Sequence, residues 1–267
     1  MTAYIDLDGA AAVVTGAGSG IGRACARSFA ARGARVVVSD INAARVAAVT
    51  AEIESEGARA VGFTADVTQQ TAAAGLRDAC LDHFGRVDLV MNNVGVLTMG
   101  PPEAIGVEEW QRVIDVNLLS MVRSNLVFLP LLLAQGRGHV VNTASMSGLL
   151  AHGYDRLPYV TTKHAIVGMS ESLALYLRPR GIGVTCLCPS GVSTNIVEQM
   201  TFVGSPSTPR SPDYPVVEAE IVGELVADAV ADGRFLVLTV PEVHDEMVER
   251  AADIDAYLTK LSQDEHR

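Results

Sequence analysis

The sequence predicts an α/β fold: one domain over residues 1–267, a doubly wound, seven-stranded parallel sheet with helices on both faces. Three observations lead there. Short β-rich runs alternate with longer helical patterns along the chain, and parallel neighbours need such crossover connections. The strand runs are apolar throughout, as in a sheet covered on both sides. No Gly/Ser tract, charge block or fixed-period repeat divides the chain, and 49% hydrophobic residues can fill a large core.

"AAVVTG" (Ala11 to Gly16) is a buried-type strand, and "IGRACARSFAARG" behind it a helix closed by Gly33. "ARVVVSD" and "NAARVAAVTAEIESEG" repeat the pair, the second helix stopping at Gly57. "RAVGFTADV", a helix to Gly85 and "VDLVMNNVG" continue it, and a long helical region follows from about Val107 to Ala134. "GHVVNTAS", a helix holding Tyr159, "IGVTCLCPS" and "GRFLVLTV" bring the strands to seven. Residues 195–215, with the Pro/Ser-rich "GSPSTPRSPDYP", read as a lid, and residues 241–263 as a C-terminal helical extension.

A net charge of −11 disfavours nucleic acid and anionic lipid as partners. Cys25, Cys80, Cys186 and Cys188 form no C-x-x-C pair and sit in apolar runs, so buried thiols are expected. No signal peptide and no uncharged apolar run of about 18 residues is seen, so a cytoplasmic protein with no membrane partner is expected. No metal is implied, because the six histidines show no ligand spacing.

In this architecture ligands sit beyond the carboxyl ends of the strands. After the first strand comes "TGAGSGIG", with glycines at 16, 18, 20 and 22, which lets the backbone approach a bulky anion at a helix N-terminus. The spacing, T-G-x-x-x-G-x-G, departs from the strict dinucleotide fingerprint. Asp40 closes the second strand, where a carboxylate accepts from ribose hydroxyls and repels a 2′-phosphate; the competing reading is an N-cap. Together they favour NAD over NADP. Asp66 is placed to accept from an adenine amino group, and "NNVG" (Asn92 to Gly95) offers amides and a glycine, though both also fit turn chemistry.

Tyr159 and Lys163 lie one helical turn apart on one face. The chain has only two lysines, against eighteen arginines, so a lysine here needs a reason. A free phenol, with a pKa of about 10, is a poor base at neutral pH, and a nearby ammonium favours the phenolate by up to roughly 4 kcal/mol. A compact ammonium can do this and still hold ribose hydroxyls, which a planar guanidinium cannot. Ser145 ends the preceding strand, where a hydroxyl stabilises charge developing on a substrate oxygen; Ser147 competes with Ser145, and Tyr154 with Tyr159, though Pro158 rather than a lysine lies four residues beyond Tyr154.

On "TGAGSGIG", "NNVG", "YVTTK" and Ser145 in "VNTASMSG", the chain resembles the short-chain dehydrogenases/reductases, of Rossmann-like fold, over about residues 7 to 195. The resemblance implies an NAD(P)-dependent oxidoreductase interconverting an alcohol and its ketone or aldehyde. It implies Tyr159 as acid/base, Lys163 on the nicotinamide ribose, Ser145 orienting the substrate oxygen, and Asn117 in "VIDVNLLS" helping to hold a proton-relaying water. The implied cofactor shell is Gly16, Ser19, Gly20, Ile21, Gly22, Asp40, Asp66, Val67, Asn93, Val94, Gly95, Val192 and Thr194, with Tyr159 and Lys163. Ser190 stands where the family has glycine, and the C-terminal part lacks the family's glycine-rich ending, so a homodimer or homotetramer is expected without a choice between them. Leu97, Met99, Met146, Leu149 and Tyr154 are expected to line an apolar pocket for a hydrophobic secondary alcohol. The rival readings are an NADPH-dependent ketone or acyl-thioester reductase and a non-catalytic NAD-binding regulatory protein.

Overall fold

The structure is a computed structural model and describes residues 4–205 and 213–264. Along the chain run β1 (Ala11–Thr15), α1 (Gly20–Ala31), β2 (Arg35–Asp40), α2 (Ala43–Ser55), β3 (Ala60–Thr64), α3 (Ala72–Phe84) and β4 (Leu89–Asn92). Then come β5 (Leu97–Met99), α4 (Val107–Ile114), α5 (Ser120–Gln135), β6 (Gly138–Thr143), α6 (Leu157–Leu177), β7 (Ile182–Cys188) and β8 (Val192–Ser193). The chain closes with β9 (Met200–Phe202), β10 (Val217–Glu218), α7 (Ala219–Asp232), β11 (Leu236–Leu238), α8 (Glu242–Ala252) and α9 (Ile254–Asp264).

Seven strands form one parallel sheet in the order β11-β7-β6-β4-β1-β2-β3. The two-residue period of a strand divides β1 between two cores. Ala12 and Val14 pack with Phe29 of α1 and Val226 of α7, while Ala11 and Val13 face Leu76 of α3 and Phe128 of α5. Strand order reverses between β1 and β4, which opens a crevice at their carboxyl ends. All four cysteines are free and buried.

Two segments differ from expectation. The long helix from Val107 is interrupted by a π-helical stretch, Asp115–Leu119. Its wider turn buries Asn117 completely, with the side-chain amide bonded to Val96. The stretch Val107–Gln135 is also long and apolar enough to cross a membrane by length and composition, with a mean hydropathy of 1.6, although Arg123 and the charges of its first turns leave no uncharged run of 18 residues. Met121, Ser124, Phe128 and Leu132 nevertheless bury one side of α5 within the fold. Residues 206–212 of the expected lid lie outside the described residues, but its two ends are tied down. β9 pairs with β5, and β10 with β8.

Candidate active site

The sharp turn after β1 is made by Gly16 (φ 63°) and Gly20 (φ 51°), in the left-handed region that favours glycine. A Cβ on Gly22 would lie 2.1 Å from the Gly16 carbonyl oxygen, so α1 can approach β1 only without a side chain there. Ser19 precedes α1 without a side-chain cap, leaving the first-turn N–H groups of that helix uncapped by it. These features suit an anion such as a pyrophosphate.

Asp40 ends β2. Its Oδ2 accepts from Gly18 N at 3.1 Å and its Oδ1 from Asn42 N at 3.0 Å. The N-cap of α2 is Asn42, which accepts from Ala44 N and Arg45 N. The capping reading of Asp40 therefore fails, and its carboxylate faces the crevice with lone pairs to spare. Asp66 also borders the crevice, but it accepts from Thr68 N, Thr68 Oγ1 and Gln69 Nε2, the turn chemistry weighed against ligand binding. The Thr68 amide leads the interactions that hold its carboxyl below the usual range, against the effect of burial.

Asn93 staples three strand ends. Its N–H donates to Thr15 Oγ1 (3.1 Å), its side-chain oxygen accepts from Thr143 Oγ1 (3.0 Å) and its Nδ2 reaches Gly16 O (3.5 Å). Thr194 packs where a Cβ on Gly20 would come within 3.0 Å of it, closing the turn from the opposite wall. Ser190 is accommodated without strain, since among the described residues no non-glycine has positive φ. Its N–H and hydroxyl bond Thr239 Oγ1, beyond β11, at 2.9 and 2.8 Å.

Tyr159 and Lys163 occupy the first two turns of α6, facing Ser145 at the end of β6. Lys163 is 3% exposed. Its Nζ donates to Thr143 O at 2.9 Å and stands 5.4 Å from the centroid of the Tyr159 ring. Ser145 Oγ accepts from Ser147 N at 3.1 Å, so the competing Ser147 props Ser145 with its backbone. Tyr154 is 48% exposed and outside the crevice.

One electrostatic expectation is corrected. Burial raises the Tyr159 phenol above its ordinary pKa, outweighing the Ser145 hydroxyl and the Arg156 charge, and burial lowers Lys163 to about 8. The protein groups alone do not bring the phenol to neutrality, because desolvation disfavours the charged form of each partner.

Of the expected residues, Gly16, Ser19, Gly20, Ile21, Asp40, Asp66, Val67, Asn93, Val94, Gly95, Ser145, Tyr159, Lys163, Val192 and Thr194 line one crevice of about 430 Å³. Gly22 lies beneath the turn. Asn117 also stands outside the lining: Oδ1 accepts from Val96 N at 2.8 Å, and Nδ2 donates to Val96 O (3.0 Å) and Thr162 Oγ1 (3.3 Å). Its side chain positions the strand beside the crevice, with no amide proton aimed into it. The expected apolar pocket is not formed by Leu97, Met99, Met146, Leu149 and Tyr154: the first three are buried, and Leu149 packs beside Met146. The apolar lining includes Val94, Val96, Val116 and Pro189 instead, with Ser190, Asn195 and Gln199 beside them. The Thr143 carbonyl that anchors Lys163 was missed because a backbone acceptor leaves no mark in sequence. Ile41, also missed, was signalled only by following Asp40 at a strand end.

Residues 10–201 match the family model for short chain dehydrogenases. The chain is 35% identical over 247 residues to 1-deoxy-11-beta-hydroxypentalenate dehydrogenase of Streptomyces exfoliatus, covering 91% of this chain and 88% of that relative. It is 33% identical to cyclohexanol dehydrogenase of an Acinetobacter strain, covering 85% of this chain and 89% of the relative. A short-chain dehydrogenase/reductase from Burkholderia phymatum, solved in complex with NAD, superposes with a TM-score of 0.84 at 31% identity, over 94% of this chain and 96% of that one.

Proposed function

The chain belongs to the short-chain dehydrogenase family, and we propose that within it the protein uses NAD to interconvert a hydrophobic secondary alcohol and its ketone, with Tyr159 as general acid/base. It is an oxidoreductase acting on CH–OH donors. The observation that carries the reading is the meeting, in one crevice, of the glycine turn and Asp40 with Ser145, Tyr159 and Lys163.

The glycine turn and the N-terminus of α1 would hold the pyrophosphate, Asp40 the adenine ribose and Lys163 the nicotinamide ribose. When bound, the nicotinamide accepts or returns the hydride, and in its oxidised form it adds a positive ring to the site. Tyr159 Oη takes the hydroxyl proton of the alcohol during oxidation and returns it during reduction. The Ser145 hydroxyl donates to the substrate oxygen as charge develops there. Val94, Val96, Val116 and Pro189 give the crevice apolar surface that suits an apolar substrate, beside the polar Ser190, Asn195 and Gln199. The relative named for cyclohexanol supports a cyclic secondary alcohol.

A homodimer built on α5 and α6 accords with Leu119, Val122, Leu126 and Leu175, which are apolar and exposed. The functional test is a panel of alcohols, cyclohexanol first, with NAD at alkaline pH, read at the reduced-nicotinamide band. Turnover with NAD supports the proposal. Tighter binding of NADPH than NADH overturns the reading of Asp40.

A further inference from the structure

The C-terminal extension is held against the site from below. Met146, the residue after Ser145, packs in one apolar cluster with Leu150, Val240, Val243 of α8 and Tyr257 of α9, with Tyr214 at its edge. One carboxylate lies at the centre of this contact. Glu246 of α8 accepts from His152 Nε2 at 2.8 Å, from Tyr257 OH at 2.6 Å and from Tyr214 OH. The three donors come from separate stretches. His152 belongs to the loop that begins at Ser145, and Tyr214 stands three residues before β10, where the chain returns from the lid. Tyr257 belongs to the extension itself.

We propose that Glu246 is a positioning residue for the substrate end of the site, fixing the loop after Ser145 and the foot of the lid relative to each other. Only an ionised carboxylate suits the position, since its two oxygens can accept from three donors at once. A glutamine offers one acceptor oxygen and turns its NH₂ toward a donor. Burial alone would raise the carboxyl of Glu246, but hydrogen bonds from Tyr214 and Tyr257 and the nearby His152 hold it below its usual range. The residue touches no part of the crevice lining and acts through the segments it holds. The effect on substrate rests on the oxidoreductase reading above; the hold on the two segments does not.

The test compares wild type, Glu246→Gln and Tyr214→Phe by amide hydrogen exchange and by steady-state oxidation of cyclohexanol with NAD. The expected result for Glu246→Gln is faster exchange across residues 146–154 and 213–218. With it goes a KM for cyclohexanol raised about tenfold, the effect of one charge-assisted hydrogen bond, while kcat and the NADH dissociation constant change less than about twofold. Tyr214→Phe, which keeps the ring, should give the same pattern in weaker form and serves if Glu246→Gln does not fold. Exchange raised only within residues 242–262, or an unchanged KM, overturns the proposal. Wild type inactive on every alcohol would sink the oxidoreductase reading, and the exchange arm would still decide whether Glu246 holds the two segments.

Discussion

Asp40 and Lys163 show how far a single residue can be read. At Asp40 two roles competed in the sequence, and only the placement of Asn42 as the N-cap of α2 separates them. Asp40→Asn keeps the shape and removes the charge that a 2′-phosphate would meet. The expected outcome is NADPH binding tightened by about tenfold relative to NADH, measured as the ratio of dissociation constants. Lys163 was legible as an exception to an arginine-rich composition, but its electrostatic state was not, because desolvation depends on neighbours far along the chain. The folded chain holds its proton to about pH 8, against an ordinary value of 10.5. Between those values the unfolded chain binds more protons, so this group adds stability as pH rises, and below about 8 its full desolvation cost remains. The stability difference between wild type and Lys163→Met should therefore shift in favour of wild type between pH 8 and 10. The slope is at most about 1.4 kcal/mol per pH unit in denaturant titrations.

Elements with a strong apolar period and a glycine or asparagine at the boundary were legible: β1 with α1, β2 with α2, and α3 ending at Gly85. The π-helical stretch was not: it brings Asn117 to the backbone of Val96, and sequence does not reveal which backbone a buried amide will meet. Asn117→Ala leaves the Val96 N–H and C=O without those partners. A loss of about 2–4 kcal/mol in stability is expected by chemical denaturation. A loss within experimental error would mean that the two hydrogen bonds to Val96 contribute nothing to stability. The apolar pocket residues were misassigned for a related reason: Leu97 and Met99 follow a strand end, but pairing of β5 with β9 turns them into the core. The C-terminal helices were legible as helices, while their contact with the loop after Ser145 was not.

For the molecule as a whole, composition and alternation were enough to foresee one doubly wound sheet, since parallel neighbours need helical crossovers of one hand, while the strand order came only from the structure. The apolar surface on α5 and α6 is the feature a solitary chain leaves unexplained. Leu126 is 73% exposed and Leu175 81%. The double variant Leu126→Glu and Leu175→Glu should sediment as a monomer at concentrations where wild type is a dimer. A wild type that is already monomeric, or an unaltered dimer in the variant, would assign that face another role. All of this converges on a crevice where a phenol manages one proton beside a docked nicotinamide. The most direct test is a single turnover of NAD with cyclohexanol, followed at the reduced-nicotinamide band for wild type and Tyr159→Phe. The expected result is a rate lowered by at least about 10²-fold with cofactor affinity unchanged. A variant that turns over at the wild-type rate would contradict it.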